Sequence, residues 1–307
     1  MIKKAKTGKR LLKKEVKWGE KLTKLAIYLL LIDFGFVYIY PVIYMVLVSL
    51  MPTSDLINPT IQWVPTYLDF ENFKQVYTAL DYGPTFTNTV IIAGLASILQ
   101  TLSCALAGYG LAKFRVPLKK LWIGLLILVF VVPTSLTLVP QYVLFNDYKL
   151  LGSPLSIWLP AAFGQGVKSS LFVLIFMQGF SYPKAYDEAA QIDGAGAVRR
   201  FFQIALPMVV PTIILSLLLS FVWYWNETAR SSMYLDGQIM TLPLQLDKFN
   251  SLFGNAYPSS AGSSLNRLNE RIQMAATLLT VGPLMILYLI MQKKFVEGVE
   301  ASGITGE

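Results

Sequence analysis

The sequence predicts an all-α integral membrane protein of six transmembrane helices, and three observations carry that prediction. Of 307 residues, 54% are apolar and only 14% charged, where soluble domains average about 25% charged residues; the mean hydropathy is +0.53. Six apolar stretches each supply the roughly 20 residues that a helix needs to cross a hydrocarbon core. Lys and Arg fall unevenly between the segments joining those stretches, as the retention of positive charge on the cytoplasmic side requires.

The stretches cover 25–50, 86–111, 121–143, 155–180, 208–225 and 272–291. Each is expected to be helical, because lipid offers no partner to a backbone that does not bond within its own segment. Pro41 in the first and Pro133 in the third remove a backbone donor, which a bundle tolerates where neighbours or water meet the freed carbonyl. Of the 26 Lys and Arg residues, nineteen lie on one side: ten in the tail 1–24, and nine at 113–120, 184–200 and 293–294. Six lie on the other (Lys74, Lys149, Arg230, Lys248, Arg267, Arg271), and Lys168 is inside the fourth stretch. Both termini, including the tail 296–307, are therefore expected in the cytoplasm of a cell-membrane protein, with a six-helix transmembrane domain at 25–295.

A basic region before an apolar run also opens a signal peptide, but this run is too long and no small-residue cleavage site follows Leu50. The first stretch is expected to stay as an anchor. The net charge of +8 is accounted for by topology, so it gives no reason to invoke nucleic acid; contact of the basic tail with anionic lipid is the other reading. There is no histidine, and the one cysteine, Cys104, sits in an apolar stretch. Disulfide frameworks and Cys/His metal sites are thereby excluded.

Between the fourth and fifth stretches, at 182–207, lies the most informative segment. Pro183 suits the first turn of a helix and Gly194 the residue just past its end. A short helix there would carry Ala185, Ala189 and Ala190, which let another backbone approach, and Lys184, Asp187 and Glu188, which offer polar contacts. Glu188-Ala189-Ala190, then Gly194, then Ile204, Leu206 and Pro207 resembles the EAA loop of ABC importer permeases. The other reading of the residues alone is an interfacial amphipathic helix without a partner.

The resemblance reaches the carbohydrate branch of that family, the type that includes the smaller permease of the maltose system. Pro183 through Ala195 follows its Pro-x-x-x-x-Glu-Ala-Ala-x-Ile-Asp-Gly-Ala pattern, Trp225-Asn226-Glu227 ends the fifth stretch, and Thr241-Leu242-Pro243 follows. Gln292-Lys293-Lys294-Phe295-Val296-Glu297-Gly298 resembles the family's tail, whereas the closing Gly303-Ile304-Thr305-Gly306-Glu307 departs from its usual Lys-Gly. The resemblance implies a coupling helix on which Glu188, Ala189, Ala190, Gly194, Ile204, Leu206 and Pro207 meet an ATPase. It also implies a second homologous permease, two ATPase subunits that bind ATP and Mg, an extracellular binding protein, and import of an oligosaccharide or polysaccharide by alternating access. The chain lacks the Gly-x-x-x-x-Gly-Lys-Ser/Thr loop that cradles nucleotide phosphates, so it is expected to be neither an enzyme nor a cofactor carrier.

The external segment 228–271 is long, and the composition around Gly254, Asn255, Ser260 and Gly262 favours mobility; the resemblance makes it a binding-protein contact. The segment before the second stretch holds Trp63, Tyr67 and Tyr77, candidate interfacial anchors. Polar groups inside spans are costly and face a cavity or another helix. Asp33 and Gln100 fit interhelical hydrogen bonds, whereas Gln165, Lys168 and Asn226, with Trp223, Tyr224 and Trp225 as stacking surfaces, are candidates for a substrate path. Lys168 would suit an acidic saccharide, although snorkelling or pairing would also satisfy it. An importer of amino acids, peptides or phosphate would share the coupling loop, and a six-span scaffold or membrane enzyme would not.

Overall fold

The computed structural model describes residues 2–58, 64–183, 185–257 and 266–301, all ordered elements of which are helical. In chain order they are α1 (Ile2–Ser49), α2 (Thr53–Ile57), α3 (Glu71–Ala79), α4 (Tyr82–Lys113), α5 (Lys119–Val131), α6 (Ser135–Asp147), α7 (Leu155–Ala162), α8 (Ser169–Gly179) and α9 (Ala185–Ile192). They continue as α10 (Ala197–Arg200), a π turn (Phe201–Ala205), α11 (Leu206–Met208), α12 (Val210–Trp225), α13 (Ala229–Tyr234), α14 (Leu242–Asp247), α15 (Phe249–Ala256) and α16 (Asn266–Ala301). Two compact units result, Met1–Phe73 with Ser263–Leu278, and Lys74–Gly262 with Leu279–Glu307.

In the first unit, α1 runs unbroken through Pro41. Leu29, Leu30, Leu31, Ile32, Phe34 and Phe36 are all exposed, the pattern of a span whose solvent is hydrocarbon. The turn after α1 is held by Asn72, whose amide donates to Ser49 O (2.9 Å) and Met51 O (3.1 Å) while its Oδ1 accepts from Arg271 (2.7 Å). Buried Asp55 accepts from the backbone and hydroxyl of Thr66 at 2.7 and 2.8 Å. Tyr67 is exposed, and Trp63 lies outside the described residues.

The second unit is organised by α4. Its buried face is a stripe of small or hydroxylated residues, Thr85, Thr89, Ala93, Ala96, Ser97, Thr101, Ala105 and Gly108, which lets neighbouring helices approach closely where no hydrophobic effect drives association. At Gly108 the approach is closest: a Cβ there would stand 2.5 Å from Phe176 Cβ and 2.9 Å from Met177 N on α8. Gly298, in the Gln-Lys-x-Phe-x-x-Gly pattern, plays the same part between α16 and α12, where a Cβ would meet Pro211 O at 2.7 Å and Leu215 Cβ at 2.9 Å.

Two of the expected spans, the third and the fourth, prove to be broken, and the fifth is entered through a bend. Helices α5 and α6 meet at 96° across Val132, Pro133 and Thr134, and the segment Ala197–Met208 meets α12 at 76°. The fourth stretch divides into α7 and α8 around Gly164 and Lys168, both at positive φ, because Pro160, Gly164 and Gly166 together interrupt the ladder. Among the described residues three helices, Glu20–Ser49, Tyr82–Lys113 and Glu270–Val299, are long and apolar enough to cross a membrane, or up to five elements if each bent pair counts as one span.

Segment 228–271, whose composition favours mobility, folds in its first part into α13, α14 and α15. The Thr-Leu-Pro element explains why: Leu242 N–H donates to Thr89 Oγ1 (2.8 Å), Asn88 donates to Met240 O (3.1 Å), and Leu242 is fully buried. Local composition does not reveal those long-range anchors. Gly254 and Asn255 lie on α15, Asn255 exposed and Gly254 half-buried; Ser260 and Gly262 lie outside the described residues.

Candidate coupling site

Helix α9 ends where its sequence suggests. Gly194 takes φ +78°, its N–H donating to Gln191 O at 3.0 Å while Ala195 N–H reaches Ala190 O at 2.9 Å, the left-handed closure that glycine adopts without a Cβ penalty. The chain returns through α10 into the π turn, in which Leu206 N–H donates to Phe201 O. Pro207 has no N–H to offer the carbonyl four residues earlier, and the widened turn sits in the residues that lose that bond.

One face of this segment is rooted in the second unit. Ala190, Phe201 and Ala205 are buried, and Phe201 packs 4.9 Å from Tyr109 and 6.3 Å from Phe180, ring centroid to centroid. Ile204 and Leu206 are half-buried, and Leu206 packs against the same cluster. The outward face carries Tyr186, Ala189 and Ile192 at helical spacing, with Glu188 and Pro207 also exposed; Ile192 is 86% exposed, and Val198 and Phe202 beyond it are exposed too. Apolar side chains thus stand free beside a carboxylate on this face.

A contact invisible in the sequence fixes the tilt of α9. Lys113, the last residue of α4, pairs with Asp187 at 2.8 Å, donates to Tyr182 O at 3.2 Å and stands 3.1 Å over the Tyr182 ring. Tyr182 Oη donates to Asp187 at 3.0 Å. Burial, and then the Asp187 bond and charge, push the Tyr182 hydroxyl upward, so it stays protonated and donating at any physiological pH. Asp187, read from sequence as a contact for a partner, is thus spent inside the chain; Lys184 lies outside the described residues.

With side-chain exposures of 11% and 14%, the Lys113–Asp187 pair is mostly desolvated, and removing one member strands the other. Asp187→Asn is expected to cost about 3 kcal/mol, read as a lowered unfolding midpoint of the detergent-solubilised protein. The double change Lys113→Met with Asp187→Leu is expected to cost less than the two single changes together; strict additivity would show the pair to be uncoupled.

The substrate-path candidates separate. Gln165 and Lys168 come together in a cavity of about 230 Å³ that Thr134, Gln141, Ser169 and Arg230 also line. Trp223 packs on Phe172 (5.2 Å), Trp225 is buried between Phe86 and Phe221, and exposed Asn226 donates to Val222 O of its own helix (2.9 Å). Gln100 is fully buried; it accepts from Tyr224 Oη at 2.6 Å and donates to Val167 O at 2.8 Å, an interhelical tie. Asp33 is exposed on α1. Sequence reasoning passed over Arg230, grouping it with the external basic residues, although it follows Trp-Asn-Glu by only three positions.

A helical chain with spans of this length and an exposed, rooted helix between two of them is a multi-pass membrane protein. It belongs to the family of binding-protein-dependent transport system inner membrane components, whose model matches residues 104–300. The diacetylchitobiose uptake system permease protein of Streptomyces coelicolor is 26% identical over 272 residues, 87% of this chain and 92% of that one. The melibiose/raffinose/stachyose import permease protein of Bacillus subtilis is 29% identical, covering 80% and 84%. The maltodextrin transport system permease protein of Streptococcus pneumoniae is 28% identical, covering 95% and 99%. Among solved structures, a chain of a bacterial ABC transporter involved in the import of the acidic polysaccharide alginate shares the fold, with TM-score 0.70 over 90% of this chain and 98% of that one at 18% identity.

Proposed function

We infer that this chain is one permease subunit of an ATP-driven, binding-protein-dependent importer of an oligosaccharide, coupled to its motor through α9. The observation that carries the reading is the outward face of α9, where Glu188, Ala189 and Ile192 are exposed on a helix whose other face is locked to α4 and the core. A lever needs that combination: a rigid root and a free gripping surface. Nucleotide-driven closure of an ATPase pair moves α9, and Lys113 and Phe201 pass the motion to α4 and α12. Transfer requires the ATPase to hold α9 differently in its open and closed states, because equal affinity shifts no equilibrium.

The chain crosses the membrane six times, the broken α7–α8 pair supplying the fourth crossing, with both termini in the cytoplasm. A second, homologous permease completes the pathway, two ATPase subunits bind ATP and Mg, and an extracellular binding protein delivers the sugar to the face that includes α15. The several carbohydrate permeases among the relatives support sugar as cargo over amino acids, peptides or phosphate.

A cysteine at Ala189, treated with a short bifunctional cross-linker in membranes during ATP turnover, is expected to capture a nucleotide-binding subunit, and the same cysteine at exposed Asp236 is not. Labelling of residue 189 only from the outside would overturn both the topology and the coupling.

A further inference from the structure

We propose that the cavity at the α7–α8 break recognises a carboxylate-bearing saccharide, so that the cargo is an oligosaccharide containing uronic acid; this rests on the importer reading above. Five observations converge on it. Two cations, Lys168 and Arg230, line one cavity of about 230 Å³, and no Asp or Glu among the described residues lines it. Neither cation has an ion pair among the described residues. The neighbouring carboxylate is already used: Glu227 accepts the backbone N–H of Arg230 at 3.0 Å, capping α13 rather than meeting the guanidinium. Lys168 is held at φ +56° as the residue preceding α8, a conformation that a non-glycine residue enters only at a cost, and its Nζ lies 5.3 Å from the Phe130 ring centroid. Ser169, 4% exposed, lines the cavity, and its hydroxyl has no hydrogen-bond partner among the described residues.

Lys168 is exposed and Arg230 half-buried, so both cations stand open to a ligand, and the natural complement of an unpaired charge is the opposite charge. A guanidinium matches a carboxylate in fork geometry, while Gln165, Gln141 and Thr134 in the same lining supply the neutral donors and acceptors that sugar hydroxyls require. Phe130 offers an apolar wall for a ring face. Neutral sugars would be served by the amides and the ring alone, whereas two cations with no carboxylate in the same lining give the cavity a net positive charge.

The test uses the whole importer, this chain with its partner permease, ATPases and binding protein, reconstituted in vesicles and supplied with labelled trigalacturonate or labelled maltotriose. ATP-dependent uptake of trigalacturonate is expected to exceed that of maltotriose. Lys168→Gln and Arg230→Gln are each expected to slow trigalacturonate uptake about tenfold, the worth of one charge-assisted hydrogen bond, while Lys168→Arg retains most of it. Uptake of maltotriose with exclusion of trigalacturonate, or trigalacturonate uptake indifferent to both substitutions, overturns the inference and leaves the importer reading intact. ATP-dependent uptake of neither sugar also overturns it, and the Ala189 cross-link then decides separately whether the importer reading survives.

Discussion

Gly108→Leu is expected to abolish accumulation of the folded protein. The α4–α8 contact is backbone against backbone: a Cβ at residue 108 would lie 2.5 Å from Phe176 Cβ, 2.9 Å from Met177 N and 3.0 Å from Phe176 C. None of these is the far end of a flexible side chain, so the leucine can be housed only by prising two helices apart. Doing so opens the cluster in which Cys104, Phe172, Phe176 and Phe180 are almost completely buried. Overpacking a core by a methylene or two costs about 1–3 kcal/mol, and displacing a helix exceeds that against a total stability of about 5–15 kcal/mol. Gly94 and Gly110, on the same helix, are the controls: a Cβ at either would meet nothing within 4 Å, and alanine there is expected to be neutral. Detergent extraction and size-exclusion chromatography read the result; a monodisperse Gly108→Leu protein at wild-type yield would disprove the close approach.

Glu188→Lys is expected to have the larger functional effect with no structural one. The side chain is exposed and makes no hydrogen bond or ion pair among the described residues, so its replacement leaves the fold alone. At an interface, a reversed charge sets like against like and costs enough to weaken docking about a hundredfold. Transport is expected to fall by a similar factor, measured as ATP-dependent uptake in vesicles, while yield and unfolding midpoint stay at wild-type values. Gly194 provides a companion case of different origin. A Cβ there meets nothing within 4 Å, but φ is +78°, so a bulky residue acts through backbone strain of about 1–2 kcal/mol and tilts α9 rather than blocking its surface. Full transport by Glu188→Lys would remove α9 from the coupling path.

The sequence alone determined the class of solvent, the family to which the chain belongs and the punctuation of α9. Each of these is a property of a segment by itself: the transfer energy of some twenty residues, the spacing of Glu188, Gly194 and Pro207, the freedom of one glycine. It did not determine which prolines break a span. Pro41 sits within an unbroken helix while Pro133 marks a 96° bend, because a proline only frees a carbonyl, and the surroundings decide whether that carbonyl finds a partner in line. Nor did it show that Asp187 belongs to Lys113, or that Lys168 and Arg230 line one cavity. Tyr224 and Gln100 meet across 124 positions, and energies of that kind exist only once distant helices have packed. Local patterns chose the helices and their medium; tertiary contacts chose which polar groups were consumed in holding them and which were left for a ligand or a partner.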